Sequence, residues 1–495
     1  METTATFDAR DTGRANGSLS PRYRYIPNGN ANGSNQGGKT RVSYFYDDDV
    51  SAIYFGKNHY MKPQRMTLTH DLVLAYQLDE CFDMYEPRLA TDEEIKQFHV
   101  SDYVDFLRCV TPDNQYIFRD ALERYNIGDD CPIFTDVYKF CRISAGGSLE
   151  AARRINADKS DIAINWSGGL HHAKKTEASG FCYINDIVLS IMELLRYHAR
   201  VLYIDIDVHH GDGVQDAFIK TNRVMTVSFH RYGPMQGGGD FFPGTGAIGD
   251  NGLGEGKHYA INVPLKAGMD DASYLELFKT VMDEVMVKYN PGAVVLQCGA
   301  DSLGGDRLGN FCLSIAGHGE CVAHMKRKGV PLVVLGGGGY TIRNVARAWA
   351  NETALLCNAK LPNDIPPHQY YNFYGPDHKL HPRLADPRTR NENSARDLQR
   401  IKEHVFEQLR RIAHAPSVQM HHPPPSFDVR SEEGDAAALE ALQASVADMR
   451  NRIRTGPAFG MRSHGTGVGE WYDDEADQDD QGGGEDDPMD MDEDK

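Results

Sequence analysis

Val201-Leu202-Tyr203-Ile204-Asp205-Ile206-Asp207-Val208-His209-His210-Gly211-Asp212-Gly213 is the stretch on which the reading of the fold turns. It opens as an apolar, β-branched run of the kind buried in a parallel sheet. It closes on acids, imidazoles and glycines. Ionised carboxylates at the end of a buried strand are costly unless they are paired or bound to metal. Alternate side chains of an extended chain share a face, so Asp205, Asp207 and His209 are expected to point together. An Asp and a His two residues apart have ordinary metal-ligand spacing. Taken alone, such a pair is more often a strand end before a capped helix. The rest of the chain weighs against that blander reading.

Working outward, strands and helices alternate. Strands are predicted at 42–46, 162–165, 201–206, 224–229, 259–263, 293–298 and 332–335. Helical spacing occurs at 66–80 and 92–108, with Thr91 and Ser101 placed as N-caps. It recurs at 144–156, 184–198, 211–220, 271–289, 314–328, 341–357 and 393–412. This alternation predicts an α/β fold with a parallel sheet covered on both faces, whose ligand site lies beyond the carboxyl ends of the strands.

Residues 1–40 are rich in Asn, Gly, Ser and Arg without periodicity and read as a disordered extension. The catalytic domain is expected over 41–415. Residues 416–495 read as mostly disordered tail, with an amphipathic helix near 435–453. From Asp473 onward there are thirteen acids against Lys495 alone, so this end carries −12 of the chain's net −19. An acidic chain is not the footprint of a nucleic-acid binder and suits a positively charged partner. No apolar run reaches the ~18 residues a membrane helix needs, and no signal pattern precedes the first strand. The nine cysteines lack C-x-x-C spacing, which argues for a reducing compartment and against a zinc finger.

Five strand ends carry unusual chemistry. They are followed by Gly168-Gly169-Leu170-His171-His172, by the aspartates and histidines quoted above, by His230 with the loop ending Phe242-Pro243-Gly244-Thr245-Gly246, by Gly299-Ala300-Asp301, and by Gly336-Gly337-Gly338-Gly339-Tyr340. Asp207, His209 and Asp301 make three protein ligands with a position left for water and substrate, the catalytic rather than structural zinc pattern. His171 and His172 can handle protons near neutrality. Each needs a carboxylate behind it, and Asp205 and Asp212 are available. The glycines before Tyr340 allow a tight turn that would face its phenol to the metal as an oxyanion donor. The glycine run completes neither phosphate-binding motif, so a phosphate cradle is set aside.

The strings NWSGGLHHAKKTEASGFCYINDI, YIDIDVHHGDGV, FPGTG, QCGADSLGGDRLG and LGGGGYTIRN resemble the zinc-dependent class I histone deacetylases, from about Val42 to Tyr374. The resemblance implies a single arginase/deacetylase-type domain with an eight-stranded parallel sheet between helices. It implies hydrolysis of N-acetyl-lysine on histone tails, with Asp207, His209 and Asp301 as metal ligands and iron(II) as the alternative ion. His172 would be general base and acid, His171 its electrostatic partner and Tyr340 the carbonyl polariser. Gly180, Phe181, Phe242 and Leu308 would wall the acetyl-lysine tunnel, with Asp130 holding the substrate backbone at the rim. Structural potassium would bind main-chain carbonyls of Asp205, Asp207, His209 and Phe229 with the side chains of Asp205 and Ser228. A second potassium would bind Phe218, Thr221, Val224 and Tyr259. Lys62, Arg307 and Arg343 match positions that line an inositol phosphate site. The family context implies corepressor subunits as partners, no sequence-specific DNA contact, and a nuclear location with the cytoplasm as a second compartment.

Three features depart from the pattern. The loop 233–241 is longer than usual, Asn58, Tyr60 and Gln64 replace the common Gly, Pro and His, and the Asn/Gly-rich head is unusual. The alternatives are a dinuclear arginase-like hydrolase, a weakly active scaffold subunit and a deacetylase of small acetylated amines. The first would need carboxylates where Gly211 and Leu303 stand.

Overall fold

The structure is a computed structural model that describes residues 40–235, 238–384 and 389–412. The expected helix near 435–453, the acidic end and the head up to residue 39 lie outside the described residues.

Eight parallel strands form one sheet in the order β2-β1-β3-β8-β7-β4-β5-β6. In chain order they are β1 (Val42–Phe45), β2 (Asp83–Tyr85), β3 (Ile162–Asn165), β4 (Val201–Asp205), β5 (Val224–Arg231), β6 (Ala260–Leu265), β7 (Ala293–Gln297) and β8 (Leu332–Leu335). The run from β3 to β5 is buried along its length, as expected of a sheet covered on both faces. On one face Val201, Tyr203, Val224, Val295 and Val333 pack under Ala151 and Ile155 of helix Val137–Asn156 and under Ile187, Ile191 and Leu194 of helix Asp186–Leu194. On the other, Phe229 of β5 packs against Phe278 of helix Asp271–Tyr289 with ring centroids 5.0 Å apart. β3 and β4 are consecutive in the chain but are separated in the sheet by β8 and β7. The helices after β3 and β4 place Ile187 and Val214 on the first face, whereas helix Ile315–Lys326 after β7 meets Phe278 on the other through His324, so the loops of neighbouring strands part and leave a crevice at the carboxyl edge. Register sets a row of residues along that edge, with Asp205 opposite Ser228 and Gln297, and Gln297 opposite Leu335.

Several sequence expectations are corrected. β2 was not expected: it is a half-buried, three-residue edge strand, too short to show a period. The predicted helix 92–108 is two helices, Asp92–Ile95 and Ser101–Cys109. Between them the Val100 N–H donates to Lys175 O at 3.1 Å, a tertiary bond that removes it from the helical ladder. Val100 is consequently the N-cap and Ser101 the first helical residue, whereas Thr91 caps its helix in a capping box with Glu94. The predicted helix 66–80 runs as Gln64–Ala75, then Gln77 takes a left-handed φ of 57° and a separate turn follows at Leu78–Cys81. The helix expected from 144 starts at Val137. Residues 369–378 fall outside the main unit, and within them the His378 ring stacks on Tyr371 at 4.1 Å.

Candidate active site and metal centre

Beyond β4 the chain leaves the sheet in short steps, each fixed by a carboxylate. Asp205 Oδ1 accepts the Asp207 N–H at 3.0 Å, Asp207 Oδ1 accepts the His209 N–H at 3.0 Å, and Asp301 Oδ1 accepts the Val208 N–H at 2.9 Å. The loop after β7 thereby meets the loop after β4. His209 Nδ1 faces Asp207 Oδ1 and Asp301 Oδ2, each at 3.0 Å. One ligand atom from each of these three buried residues lies within 4.8 Å of the others. Asp205 does not join them, contrary to the strand-period expectation, because the extended chain ends at that residue. Its Oδ2 instead accepts the Tyr203 hydroxyl at 2.5 Å and pairs with His171 Nδ1 at 2.8 Å.

The donor set fits a divalent cation. Two carboxylates and an imidazole converge in a buried site, where burial and the neighbouring Asp207 push the Asp301 carboxyl up to about 7. Such repulsion is what a bound cation relieves. Asp207 Oδ2 is further held by Gln297 Nε2 at 2.9 Å and the Gly338 N–H at 2.8 Å. A Cβ on Gly338 would stand 2.0 Å from Asp301 Oδ2, so the backbone can come this close only as glycine.

His171 and His172 stand side by side with ring centroids 3.9 Å apart. Asp205 backs the first, and Asp212 Oδ1 backs His172 Nδ1 at 2.7 Å. Burial opposes charge on His171, but Asp205 and Asp207 overcome it and raise the ring to about 9. Burial and the neighbouring His171 lower His172 to about 4, which keeps it neutral at pH 7. Asp212 is lowered, burial being outweighed by His172 and by Lys174, whose Nζ lies 2.5 Å from Asp212 Oδ2. Tyr340 is buried, and burial with Asp301 and Asp207 holds its phenol well above its usual range, so the hydroxyl stays a donor.

Phe181 lies edge-on to Tyr340 at 5.7 Å, and Phe242 lies edge-on to His172 at 4.9 Å. Gly180 has a φ of +50°, and a Cβ there would meet His172 Cδ2 at 2.5 Å and Phe242 Cε1 at 2.9 Å. Phe181 thus stands against Tyr340 and Phe242 against His172, with Gly180 packed on the latter pair. Leu308 is half-buried nearby, its N–H on Asp306 Oδ1 at 2.9 Å. Asp130 is exposed, and its carbonyl accepts from His59 Nε2 at 3.2 Å, the His59 ring lying edge-on to Phe181 at 4.6 Å.

Of the residues tied to potassium, Ser228 Oγ bonds His230 Nδ1 at 2.9 Å, and Phe229, Phe218, Val224 and Tyr259 are buried, with Thr221 half-buried. Since His230 Nε2 faces the Gly246 carbonyl at 2.8 Å, it carries the ring proton and Ser228 donates, leaving the serine lone pairs for a cation. Arg307 is exposed with its guanidinium 5.6 Å from the Tyr60 ring centroid, while Lys62 and Arg343 are half-buried. The departure at position 60 therefore engages one of the three cations directly.

Three residues missed in the sequence also hold the site. Arg65 is buried and donates to Gly337 O at 2.6 Å and Gly339 O at 2.8 Å, bracing the loop before Tyr340. Asp306 accepts the N–H groups of Leu308, Gly309 and Tyr340 at 2.8–3.0 Å, joining the loop at Leu308 to the backbone of Tyr340. Gln297 bridges Asp207 to its own loop by accepting the Gly299 N–H at 2.8 Å. Gln297 had a readable signal, a polar residue closing an apolar strand. Arg65 had none.

Comparison with known proteins gives the family. Residues 59–356 match the histone deacetylase domain family. Histone deacetylase 9 of Arabidopsis thaliana is 54% identical over 84% of this chain and 95% of its own length. Histone deacetylase 1 of Bos taurus is 52% identical over 78% of each chain, and type-1 histone deacetylase 1 of Dictyostelium discoideum 52% over 80% of this chain and 78% of its own. The chain belongs to the class I histone deacetylases, hydrolases that act on acetyl-lysine.

Proposed function

We propose that this histone deacetylase removes the ε-acetyl group of lysine on histone tails with zinc as its metal, as the catalytic subunit of a nuclear corepressor assembly. The observation that carries the reading is the meeting of Asp207, His209 and Asp301 beside two histidine–carboxylate pairs. The catalytic domain is taken as 41–415.

The metal, when bound, polarises the acetyl carbonyl and acidifies water. The remaining work falls to the chain. His172, neutral at pH 7, accepts the water proton on Nε2 while Asp212 holds Nδ1–H and fixes the tautomer. His171, charged at that pH through Asp205, stabilises the anionic transition state. The Tyr340 hydroxyl donates to the developing oxyanion. His172 then returns its proton to the departing amine, giving acetate and lysine. Gly180, Phe181, Phe242 and Leu308 exclude water along the acetyl-lysine chain, and Asp130 meets the substrate backbone at the mouth.

Potassium at Asp205, Asp207, His209, Ser228 and Phe229, and at Phe218, Thr221, Val224 and Tyr259, would brace the sheet edge as a hard cation among oxygens. An inositol phosphate would link Lys62, Arg307 and Arg343 to a corepressor subunit, with Tyr60 competing for Arg307. Iron(II) is the alternative to zinc. The test is to offer the purified protein an acetylated histone-tail peptide and an acetylated polyamine, each with and without a chelator. The peptide should be cleaved in a chelator-sensitive manner; preference for the polyamine would replace this reading.

A further inference from the structure

A metal-ligating histidine is usually oriented by a hydrogen bond from its second ring nitrogen. His209 is held differently by the protein. Its Nδ1 faces the two carboxylates, and among the described residues no protein group bonds its Nε2. What lies against the ring instead is Phe241, stacked with centroids 5.1 Å apart and planes 10° from parallel. The Arg231 guanidinium lies 5.7 Å from the centre of the same phenyl ring. That guanidinium also donates to the carbonyls of Tyr232 and of Pro234, the latter at 3.0 Å. Phe241 N–H donates to Gly233 O at 3.0 Å, and Pro234 bridges to Asp240. Both limbs of the longer loop 233–241 are thus closed on Arg231. Arg231 is in turn tied beside the metal ligand, since its N–H donates to Val208 O at 2.8 Å.

We infer that Phe241 is a positioning residue for His209, clamped by Arg231, and that the base of the longer loop sets metal affinity. The inference rests on His209 being a metal ligand. An imidazole that has shared its lone pair with a cation is electron-poor, so its attraction to a neighbouring π face grows on loading. The stack therefore favours the loaded site over the empty one, taking the part a hydrogen bond plays elsewhere. A phenylalanine that merely fills the core would affect stability and leave the affinity of the folded protein untouched.

The experiment titrates Co²⁺ into chelator-stripped full-length protein and follows visible absorption, with affinity from chelator competition and folding from thermal melts. Phe241→Leu should weaken Co²⁺ binding about tenfold, the lower end for loss of a ligand's supporting contact, and should shift the absorption bands. Phe241→Tyr, which keeps the ring, should restore both. Arg231→Met should move affinity the same way by a smaller factor, and it decides the matter should the leucine variant not fold. Unchanged affinity and spectrum in the folded variants would overturn the inference. A wild-type protein that binds Co²⁺ as expected yet leaves acetyl-lysine intact would sink the proposed function and not this one.

Discussion

Tyr340 is held from three directions: Asp306 accepts its N–H, Arg65 braces the two glycine carbonyls before it, and Phe181 lies against its ring. The Tyr340→Phe variant keeps the ring and that scaffold while removing the hydroxyl. Loss of one oxyanion donor costs ~10²–10³ in kcat, or about 2.7–4 kcal/mol. Steady-state kinetics on an acetylated peptide should therefore show kcat falling by that factor with KM and metal content retained; a change in KM alone would make Tyr340 a binding residue. At this scale the sequence showed Asp207, His209 and Asp301, because charge at the end of a buried strand needs a reason. It could not show Arg65, whose partners lie more than 270 residues away. It also named Asp205 and Asp212 as carboxylates available behind the two histidines, but its β-period wrongly aligned Asp205 with Asp207 and His209, since that period holds only while the chain stays extended.

Helices were legible by period and caps, and their errors have tertiary causes. The break between Ile95 and Ser101 exists because Lys175 O takes the Val100 N–H, and the buried His99 beside it accepts the Asn185 N–H at 3.0 Å. His70, on helix Gln64–Ala75, stacks on Tyr46 at 3.7 Å. Burial pushes His70 down to about 4 and His99 down to about 3. An unfolded histidine binds its proton near pH 6.5. Below that pH the unfolded chain takes up protons that the fold refuses. The stabilisation is thus complete above pH 6.5 and is lost as pH falls toward 4 and 3, by roughly 2 kcal/mol per histidine at pH 5. Denaturant melts at pH 8 and pH 5 should show His70→Phe losing about 2 kcal/mol less than wild type between them. An equally steep fall would mean that His70 does not carry this pH sensitivity.

For the whole molecule, the alternation of strands and helices announced a covered parallel sheet, and the unusual strand ends marked its functional edge. Strand order was not legible: β7 and β8, the last strands in the chain, lie between β3 and β4, a placement made by long-range packing. Charge distribution has its own consequence. The run from Asp473 carries −12, a charge that attracts basic partners at long range. Its deletion should leave turnover of a short acetylated peptide unchanged. It should slow association with intact basic histones at low salt, measured by stopped-flow binding, because long-range attraction is lost. A large drop on the short peptide would place the tail within the catalytic unit.

On the proposed function, one buried metal at Asp207, His209 and Asp301 drives acetyl-lysine hydrolysis. The most direct test measures metal per chain and histone-peptide deacetylation in the same samples, for wild type, for chelator-stripped protein refilled with zinc, and for Asp207→Asn. Stripping should remove metal and activity together, and zinc should restore both to wild type. Asp207→Asn should hold no stoichiometric metal and no activity. An Asp207→Asn protein with one metal per chain and full turnover would contradict the account.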